Sequence, residues 1–114
     1  MDMIKDLKKS AISKFSQGDV NVYVLKEKPT LTTTKYLDNI LVEGSGGNKH
    51  KLVGRNFTVG KTNGGQFIIE VTGKGVSLAH AQHKPPIQLP VGYLLVDRAV
   101  EKGMFNDMIA PVAD

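Results

Sequence analysis

The sequence contains no cysteine among its 114 residues. The chain can therefore form neither a disulfide nor a thiolate metal site, and it suits a reducing compartment. No apolar run approaches the roughly 18 residues that a membrane span requires. The amphipathic start of the chain, residues 1–9, also lacks the apolar core of a signal peptide. We therefore expect a protein that makes no membrane contact and is not secreted by a signal peptide.

Acidic residues are nearly missing from the middle of the chain. Between Gly44 and Val96 the only acid is Glu70. The basic residues of the same section are Lys49, Lys51, Arg55, Lys61, Lys74 and Lys84. With a formal net charge of +4 for the whole chain, two interpretations stay open. These residues belong either to an ordinary solvated surface or to a basic surface for nucleic acid or an acidic partner.

The length and the turn residues predict one small domain of mostly β-structure. A chain of this size buries about two thirds of its unfolded surface, which is enough for one core without disulfides. Nine of the twelve glycines lie between Gly44 and Gly75, where they suit tight hairpins. We predict an all-β fold, a small antiparallel barrel or sandwich of about seven or eight short strands, with one N-terminal α-helix.

Runs of β-branched and aromatic residues locate the strands. The predicted strands are residues 20–25, 37–43, 49–53, 57–59, 66–71, 76–80 and 93–96. Asn63-Gly64 predicts a type I′ hairpin turn. Pro85 and Pro86 exclude their segment from a central strand, because neither proline can donate a hydrogen bond to a ladder. Residues 97–102 are predicted to form a turn of helix.

The N-terminal segment, residues 1–17, is predicted to hold an amphipathic helix over residues 2–15. Apolar side chains recur there at three- or four-residue spacing, at Ile4, Leu7, Ala11 and Phe15. A helix of this length is marginal alone, so we expect it to dock on its own sheet or on a neighbouring subunit.

The β domain is predicted to occupy residues 18–98, and residues 99–114 are predicted to form a C-terminal tail. The tail is apolar enough around Phe105 to dock on a partner. Chain ends of this kind suit a homo-oligomer or an assembly with other proteins. The candidate contact residues between subunits are Ile4, Leu7, Phe15 and Phe105.

Three histidines are the candidate metal ligands. His80 and His83 are close in sequence, and His50 can come from a neighbouring strand. Three neutral imidazoles can bind Zn²⁺ or another transition metal if all converge to within about 2.1 Å of one point. On a straight strand His80 and His83 point to opposite faces, so convergence requires a bend after His80. The competing interpretation is turn histidines that hydrogen-bond to backbone carbonyls, with no cofactor.

Other catalytic patterns are weak, and an enzyme is not favoured. Ser45 and Ser77 lack the glycine-flanked elbow of a nucleophilic serine. The glycine-rich stretch at residues 44–48 has no Gly-Lys-Ser/Thr ending and no helical pattern after it, which argues against a phosphate loop. The aromatic residues lie in strand-like positions, which is more typical of core than of a base-stacking platform. An oligonucleotide-binding barrel stays open on the basic central section.

Three pieces of the sequence resemble a set of small phage and prophage proteins. The pieces are Gln17-Gly-Asp-Val20, Glu43-Gly followed by Gly47-Asn-Lys-His50, and His80-Ala-Gln-His83-Lys-Pro-Pro-Ile-Gln-Leu-Pro-Val-Gly-Tyr93. That set shows Gly-Asp-Val at a first strand, a Gly-His-x-His turn, and His-x-x-His followed by Pro-Ile-x-Leu-Pro-x-Gly-x-Tyr. The likeness covers about residues 15–98. This chain departs from the set at Asn48, at Ala81-Gln82 in place of two acids, and at an extra proline.

The resemblance implies a phage origin and a compact β domain, in the virion or the host cytoplasm. Our leading hypothesis is a non-enzymatic virion accessory or assembly component associated with the capsid or tail. One alternative is a histidine-rich metal-binding β-barrel similar to cupins, with His50, His80 and His83 as ligands. A further alternative is a phage protein that binds nucleic acid or a host factor.

Overall fold

The computed structural model describes residues 3–18, 20–43, 49–80 and 83–98, with the backbone alone at residues 42, 43, 83 and 84. These described residues form one helix and ten strands, in the order α1 Met3–Ser10, β1 Ser13–Gln17, β2 Val20–Leu25, β3 Thr34–Lys35, β4 Ile40–Glu43, β5 Lys49–Val53, β6 Phe57–Lys61, β7 Phe67–Val71, β8 Ser77–His80, β9 His83–Gln88 and β10 Gly92–Arg98. The described residues contain no helix with the length and apolar character needed to cross a membrane.

The strands form two antiparallel sheets. Sheet A has the order β1-β2-β10-β7-β6-β3, and sheet B has the order β4-β5-β8-β9. The predicted all-β class with one N-terminal helix is therefore confirmed. The strands predicted at residues 20–25 and 49–53 have the predicted bounds. Residues 97–98, predicted as helix, instead extend β10, and residues 99–102 lie outside the described part.

The main core lies between the two sheets, because inward-facing residues of both contribute to it. Sheet A and its loops supply Val20, Val22, Val59, Phe67, Ile69, Val71, Leu94 and Val96. Sheet B and its adjoining turns supply Leu41, Leu52, Val76, Leu78 and Leu89. Period-2 alternation places these side chains inward and their neighbours outward, as expected for a two-layer β-structure.

Strand β10 is the centre of sheet A, as its apolar sequence requires. It pairs with β2 on one side and with β7 on the other. Leu94 and Val96 are buried in the main core, whereas Leu95 is fully buried on the opposite face. A strand that buries both faces reads as a continuous apolar run rather than as an alternation. This explains why Leu94, Leu95 and Val96 follow one another.

The N-terminal helix is shorter than predicted. It ends at Ser10, and residues 13–15, expected to be helical, belong to β1 at the edge of sheet A. There β1 pairs with β2 from Ser13 to Gln17, and Phe15 packs against the main core. Phe15 matched the helical spacing by coincidence, because the backbone bonds gained against β2 outweigh a weak helical preference.

Helix α1 docks on the outer face of its own sheet A. Ile4 and Leu7 pack against a second buried cluster, formed by Tyr23, Leu25 and Leu95. Lys8 of the helix also makes an ion pair with Asp97 of β10. Of the two predicted docking partners, the chain's own sheet receives the apolar stripe.

The turn between β6 and β7 does not have the predicted type I′ geometry. That type requires positive φ at Asn63 and Gly64, but neither residue has it. The amide of Gly65 donates to the carbonyl of Thr62, and Gly65 itself has φ +88°. This is a three-residue loop, in which a type I turn is followed by a left-handed glycine.

Three of the four sheet edges, those formed by β9, β3 and β1, carry features that discourage pairing with another chain. Strand β9 contains Pro85 and Pro86 and lies at the edge of sheet B, as predicted for a segment that cannot be central. At the edges of sheet A, β3 has two residues and β1 carries the exposed Lys14. Short strands, prolines and lysines at edges all oppose edge-to-edge association.

Candidate functional site

The strand register brings the backbones of the three histidines together. His50 of β5 pairs with His80 of β8, and His80 pairs with His83 of β9. The bend that convergence requires is the connection from β8 to β9, which reverses the chain between His80 and His83. We call His50, His80 and His83 the histidine row.

Two members of the histidine row are buried against each other. His50 is 0% exposed and His80 is 4% exposed. Their ring centroids lie 4.2 Å apart, and the ring planes are inclined by 34°. Directly paired residues of antiparallel strands share one face of the sheet, so the contact follows from the register. Both rings therefore lie on the face of sheet B that carries the main core.

Gln17 at the end of β1 joins the histidine row to sheet A. Its side-chain Nε2 donates to the carbonyl of Leu78 at 2.9 Å. Its Oε1 lies 2.9 Å from Nδ1 of His50. Because Nε2 of Gln17 is the donor to Leu78, Oε1 must accept, and Nδ1 of His50 carries the hydrogen. The neutral His50 ring then has its lone pair on Nε2.

Sequence reasoning missed the role of Gln17. The residue is 2% exposed, although glutamine is mostly found at protein surfaces. Its position two residues after Phe15 places it on the same inward face of β1. It also opens the Gln-Gly-Asp-Val piece of the phage-like resemblance, which was the one signal that singled it out.

The ring geometry bears on metal binding. Two imidazoles on one tetrahedral ion, each about 2.1 Å from it, hold their ring centroids about 5 Å apart. The observed 4.2 Å is shorter, so one ring must rotate before both can bind one ion. Among the side chains that the structure describes, no group of three histidines and acids is placed to hold a metal ion. The side chain of His83 lies outside those described.

The predicted basic residues occupy different parts of the molecule. Lys49 and Lys51 are exposed on β5, where they alternate with the buried His50 and Leu52 and so face away from the core. Arg55 follows in the next turn and is also exposed. The remaining predicted residues are placed as follows: Lys74 in the turn before β8, Lys61 on β6 of sheet A, and Lys84 on β9 with its side chain outside the described part.

The turn that holds Arg55 is tied to the turn that holds Lys74. Asn56 Nδ2 donates to the carbonyl of Lys74 at 3.1 Å, and the amide of Thr72 donates to the carbonyl of Asn56 at 2.7 Å. Lys61 instead lies over the rings of Tyr36 and Phe67 on the other sheet. The turns of Arg55 and Lys74, each of which connects one sheet to the other, therefore adjoin each other, whereas Lys49 and Lys51 lie on the outer face of β5.

The predicted subunit contacts have intramolecular partners where they are described. Ile4 and Leu7 contact the outer face of sheet A, and Phe15 contacts the main core. Phe105 lies outside the described residues. Contacts between subunits stay a prediction for all four.

A surface cleft opens on sheet A beside the segment that follows β2. Its volume is about 410 Å³, and its lining includes Leu31, Ile68, Glu70 and Tyr93. Tyr93 Oη donates to Glu70 Oε2 at 3.4 Å, a long hydrogen bond that holds two polar groups at the cleft wall. The cleft lies on the outer face of sheet A, because its residue Tyr93 points away from the main core, whereas the next residue, Leu94, is buried in that core. The histidine row lies on the other side of sheet A, within the core.

Comparison with protein families, with curated proteins and with solved structures finds no match to this chain.

Proposed function

We propose that the protein is a non-enzymatic phage protein that serves as a virion accessory or assembly component and binds a neighbour through the outer face of sheet B. The observation that carries the proposal is that the outer faces of the two sheets are covered to different extents. Helix α1 covers the part of the outer face of sheet A that holds Tyr23, Leu25 and Leu95, whereas β5 presents exposed side chains on the outer face of sheet B. The phage and virion part of the proposal is based on the sequence resemblance to small phage proteins.

The two faces differ in measurable exposure. On the outer face of sheet A, Leu25 is 5% exposed and Leu95 is 0% exposed beneath the helix. On the outer face of sheet B, Val53 is 46% exposed, and Lys49 and Lys51 are exposed beside it. An exposed valine beside lysines resembles the mixture of apolar and polar residues found at protein interfaces.

The protected edges favour association through a face rather than through strand addition. Pro85 and Pro86 on β9 cannot donate to an added strand, and β3 is too short to template one. A subunit of this kind joins its neighbours by face contacts and chain ends, which supports a discrete assembly.

The test is mass spectrometry of purified particles from the strain that carries the gene. We expect the protein in the particles, and a Lys51→Glu variant should be incorporated less well. Lys26→Glu is the matched control, because Lys26 is equally exposed but follows β2 of sheet A. Absence of the native protein from particles would remove the virion role. Equal incorporation of both variants would remove the role of the sheet B face.

A second candidate function is metal binding by the histidine row. The supporting observation is the register of His50, His80 and His83, together with the hydrogen bond by which Gln17 fixes the tautomer of His50. Metal-bound histidines commonly donate their other ring nitrogen to such a partner. Binding also requires the ring rotation described above.

Elemental analysis and thermal denaturation test the metal function. We expect about one Zn²⁺ or Ni²⁺ per chain and a melting temperature that rises with added metal, because the ion binds only the folded state. A His83→Gln variant should lose most of that rise. If the native protein carries no metal and its melting temperature does not change when Zn²⁺ or Ni²⁺ is added, the metal function is wrong.

A further inference from the structure

We propose that the cleft on the outer face of sheet A binds a short peptide, such as a dipeptide, through the free α-amino and α-carboxylate groups of that peptide. This site goes beyond the proposed function, because the outer faces of sheet A and sheet B lie on opposite sides of the molecule. The inference rests on how the cleft is built and on the charges that line it.

The cleft is formed where the segment between β2 and β3 crosses sheet A. Strands β10, β7 and β6 lie between β2 and β3 in the sheet, so this segment, residues 26–33, passes over them. We call residues 26–33 the strap. The strap contributes Lys28, Pro29, Leu31 and Thr33 to the cleft, and Pro29 and Leu31 are half-buried. The strap is therefore packed onto the sheet and forms one wall of the cleft.

Gly60 of β6 allows the strap to lie this close to the sheet. A Cβ atom at Gly60 would be 2.5 Å from Oγ1 of Thr33 and 2.8 Å from its Cβ, which is closer than side-chain atoms approach. A larger residue at this position would therefore displace Thr33 and the strap. The wall of the cleft is thus set by a specific contact between the strap and β6.

Three directly paired residues form the floor of the cleft. Tyr93 of β10 pairs with Glu70 of β7, and Glu70 pairs with Thr58 of β6. Such partners share one face of the sheet, so two hydroxyls and a carboxylate lie in one row. Tyr93 Oη donates to Oε2 of Glu70, and Oε1 of the same carboxylate stays available to a ligand. Ile68 adds apolar surface beside the row.

Charges of both signs line the cleft without neutralising each other. Lys28 and Lys35 contribute the cations, and Glu70 contributes the carboxylate. In the described part of the chain, neither lysine makes an ion pair with Glu70. Lys35 of β3 pairs with Gly60, which pairs with Ile68. Because Ile68 is two residues from Glu70, the Cα atoms of Lys35 and Glu70 are about 12 Å apart.

A ligand that carries both charges fits this arrangement best. Its ammonium group donates to Glu70 and its carboxylate accepts from a lysine, and both are charge-assisted hydrogen bonds. A dipeptide spans up to about 7 Å, and a lysine side chain that reaches toward the floor closes the remaining distance. A simple anion would meet Glu70, a simple cation would meet the two lysines, and a neutral sugar would leave all three charges without a partner.

The size and the apolar lining of the cleft limit the ligand further. Its volume of about 410 Å³ is at the lower end of the range of about 300–1,000 Å³ found for small-molecule sites. Leu31 and Ile68 offer apolar surface to a side chain of the ligand. Leucyl-leucine, which combines free termini with apolar side chains, is therefore the probe.

The test is an NMR titration of the isotope-labelled full chain with leucyl-leucine, with its N-acetyl form and with its C-terminal amide. We expect the free dipeptide to give saturating shifts at the backbone amides of Gly60, Ile68 and Glu70. The acetylated form should bind about tenfold more weakly, because it has no ammonium group for Glu70. The amide form should bind about threefold more weakly, since the lysines are exposed and contribute less.

Two variants connect the charges of the ligand to residues of the cleft. Glu70→Gln keeps an acceptor for the Tyr93 hydroxyl but should bind the free and the acetylated dipeptide equally. Lys35→Gln should reduce the preference for the free carboxylate over the amide. Glu27→Gln is the matched control, because Glu27 is an exposed acid of the strap that does not line the cleft. This control should bind all three ligands as the native chain does.

Four results overturn the inference. The first is the absence of a saturating shift at the cleft with leucyl-leucine up to about 20 mM. The second is equal binding of the free and the acetylated dipeptide by the native chain, and the third is a Glu70→Gln variant that still distinguishes them. The fourth comes from a parallel titration with maltose. Tighter binding of maltose than of leucyl-leucine at the same amides would assign the cleft to a sugar.

Discussion

At the residue scale, Gln17 is a buried polar side chain that joins the two sheets by hydrogen bonds. It lies on sheet A, and both of its hydrogen bonds reach sheet B, at Leu78 and His50. Among the described residues no buried side-chain polar atom lacks a hydrogen-bond partner. The polar centre of the core is therefore satisfied, and removing Gln17 takes away the hydrogen bonds that it makes to Leu78 and His50.

Gln17→Leu should lower the free energy of unfolding by about 2–3 kcal/mol, because the carbonyl of Leu78 and Nδ1 of His50 lose their partner while staying buried. Urea denaturation of the purified protein measures the change. Ser16→Ala is the control, since Ser16 is exposed on the same strand and its hydroxyl donates to Asn21 Oδ1. This substitution should change the free energy of unfolding by no more than about 0.5 kcal/mol. If both variants lose the same free energy of unfolding, the hydrogen bonds of Gln17 between the sheets contribute no more to stability than the exposed bond of Ser16.

The histidine row shows what single residues could and could not predict. The sequence identified His50, His80 and His83 as a group, and the register pairs the backbone of His80 with those of the other two. Convergence of the three rings on one ion stays a prediction. The sequence did not predict that His50 and His80 would stack in the core beside Gln17. Whether a histidine is buried depends on which strand lies opposite it, and spacing along one strand carries no information about that.

At the element scale, helix α1 is stable only because it docks. It has 8 residues, fewer than the roughly 12–15 that a helix needs to persist alone in water. Its apolar stripe covers Tyr23, Leu25 and Leu95, and Lys8 binds Asp97 at the end of β10. The helix and the outer face of sheet A therefore depend on each other.

Leu7→Ser should lower the free energy of unfolding by about 1–2 kcal/mol, because the half-buried leucine covers the second apolar cluster. Lys9→Ser introduces the same residue into the same helix at an exposed position, so it carries the same change in helix propensity. Lys9→Ser should lower the free energy of unfolding by less than about 0.5 kcal/mol. Thermal or urea denaturation compares the two, and a Lys9 effect as large as that of Leu7 would contradict the docking argument.

Elements with a strong local pattern were predictable, and those defined by distant pairing were not. The alternating valines of β2 and the apolar run of β10 made both strands predictable from sequence. In contrast, β1 was predicted as helix, because Phe15 continued the spacing of the preceding stripe. Its strand conformation comes from β2, and β3 similarly exists only where Thr34 meets Lys61.

At the scale of the whole molecule, the topology joins the two ends of the β domain. Strand β2 begins at Val20, and its partner β10 ends at Arg98. Sheet A therefore cannot complete its central pairs until distant parts of the chain meet. Loop-closure entropy must be overcome before those pairs contribute, and this slows folding.

Refolding from urea should accordingly take milliseconds to seconds, the range of β-rich domains with distant pairings. Stopped-flow fluorescence of the tyrosines, including Tyr93 in β10, measures the rate. A Leu95→Ala variant reports when β10 joins the sheet, since Leu95 is buried on its outer face. Refolding in microseconds would mean that local contacts, not the closing of sheet A, limit the rate.

The place of β10 also matters while the protein is being made. Its neighbours β2 and β7 leave the ribosome first, and at about 5–20 residues per second the gap between β2 and β10 lasts several seconds. During that interval the apolar faces of β2 and β7 have no strand between them. The nascent chain must therefore be shielded by the cell, or must tolerate exposure, until β10 is translated.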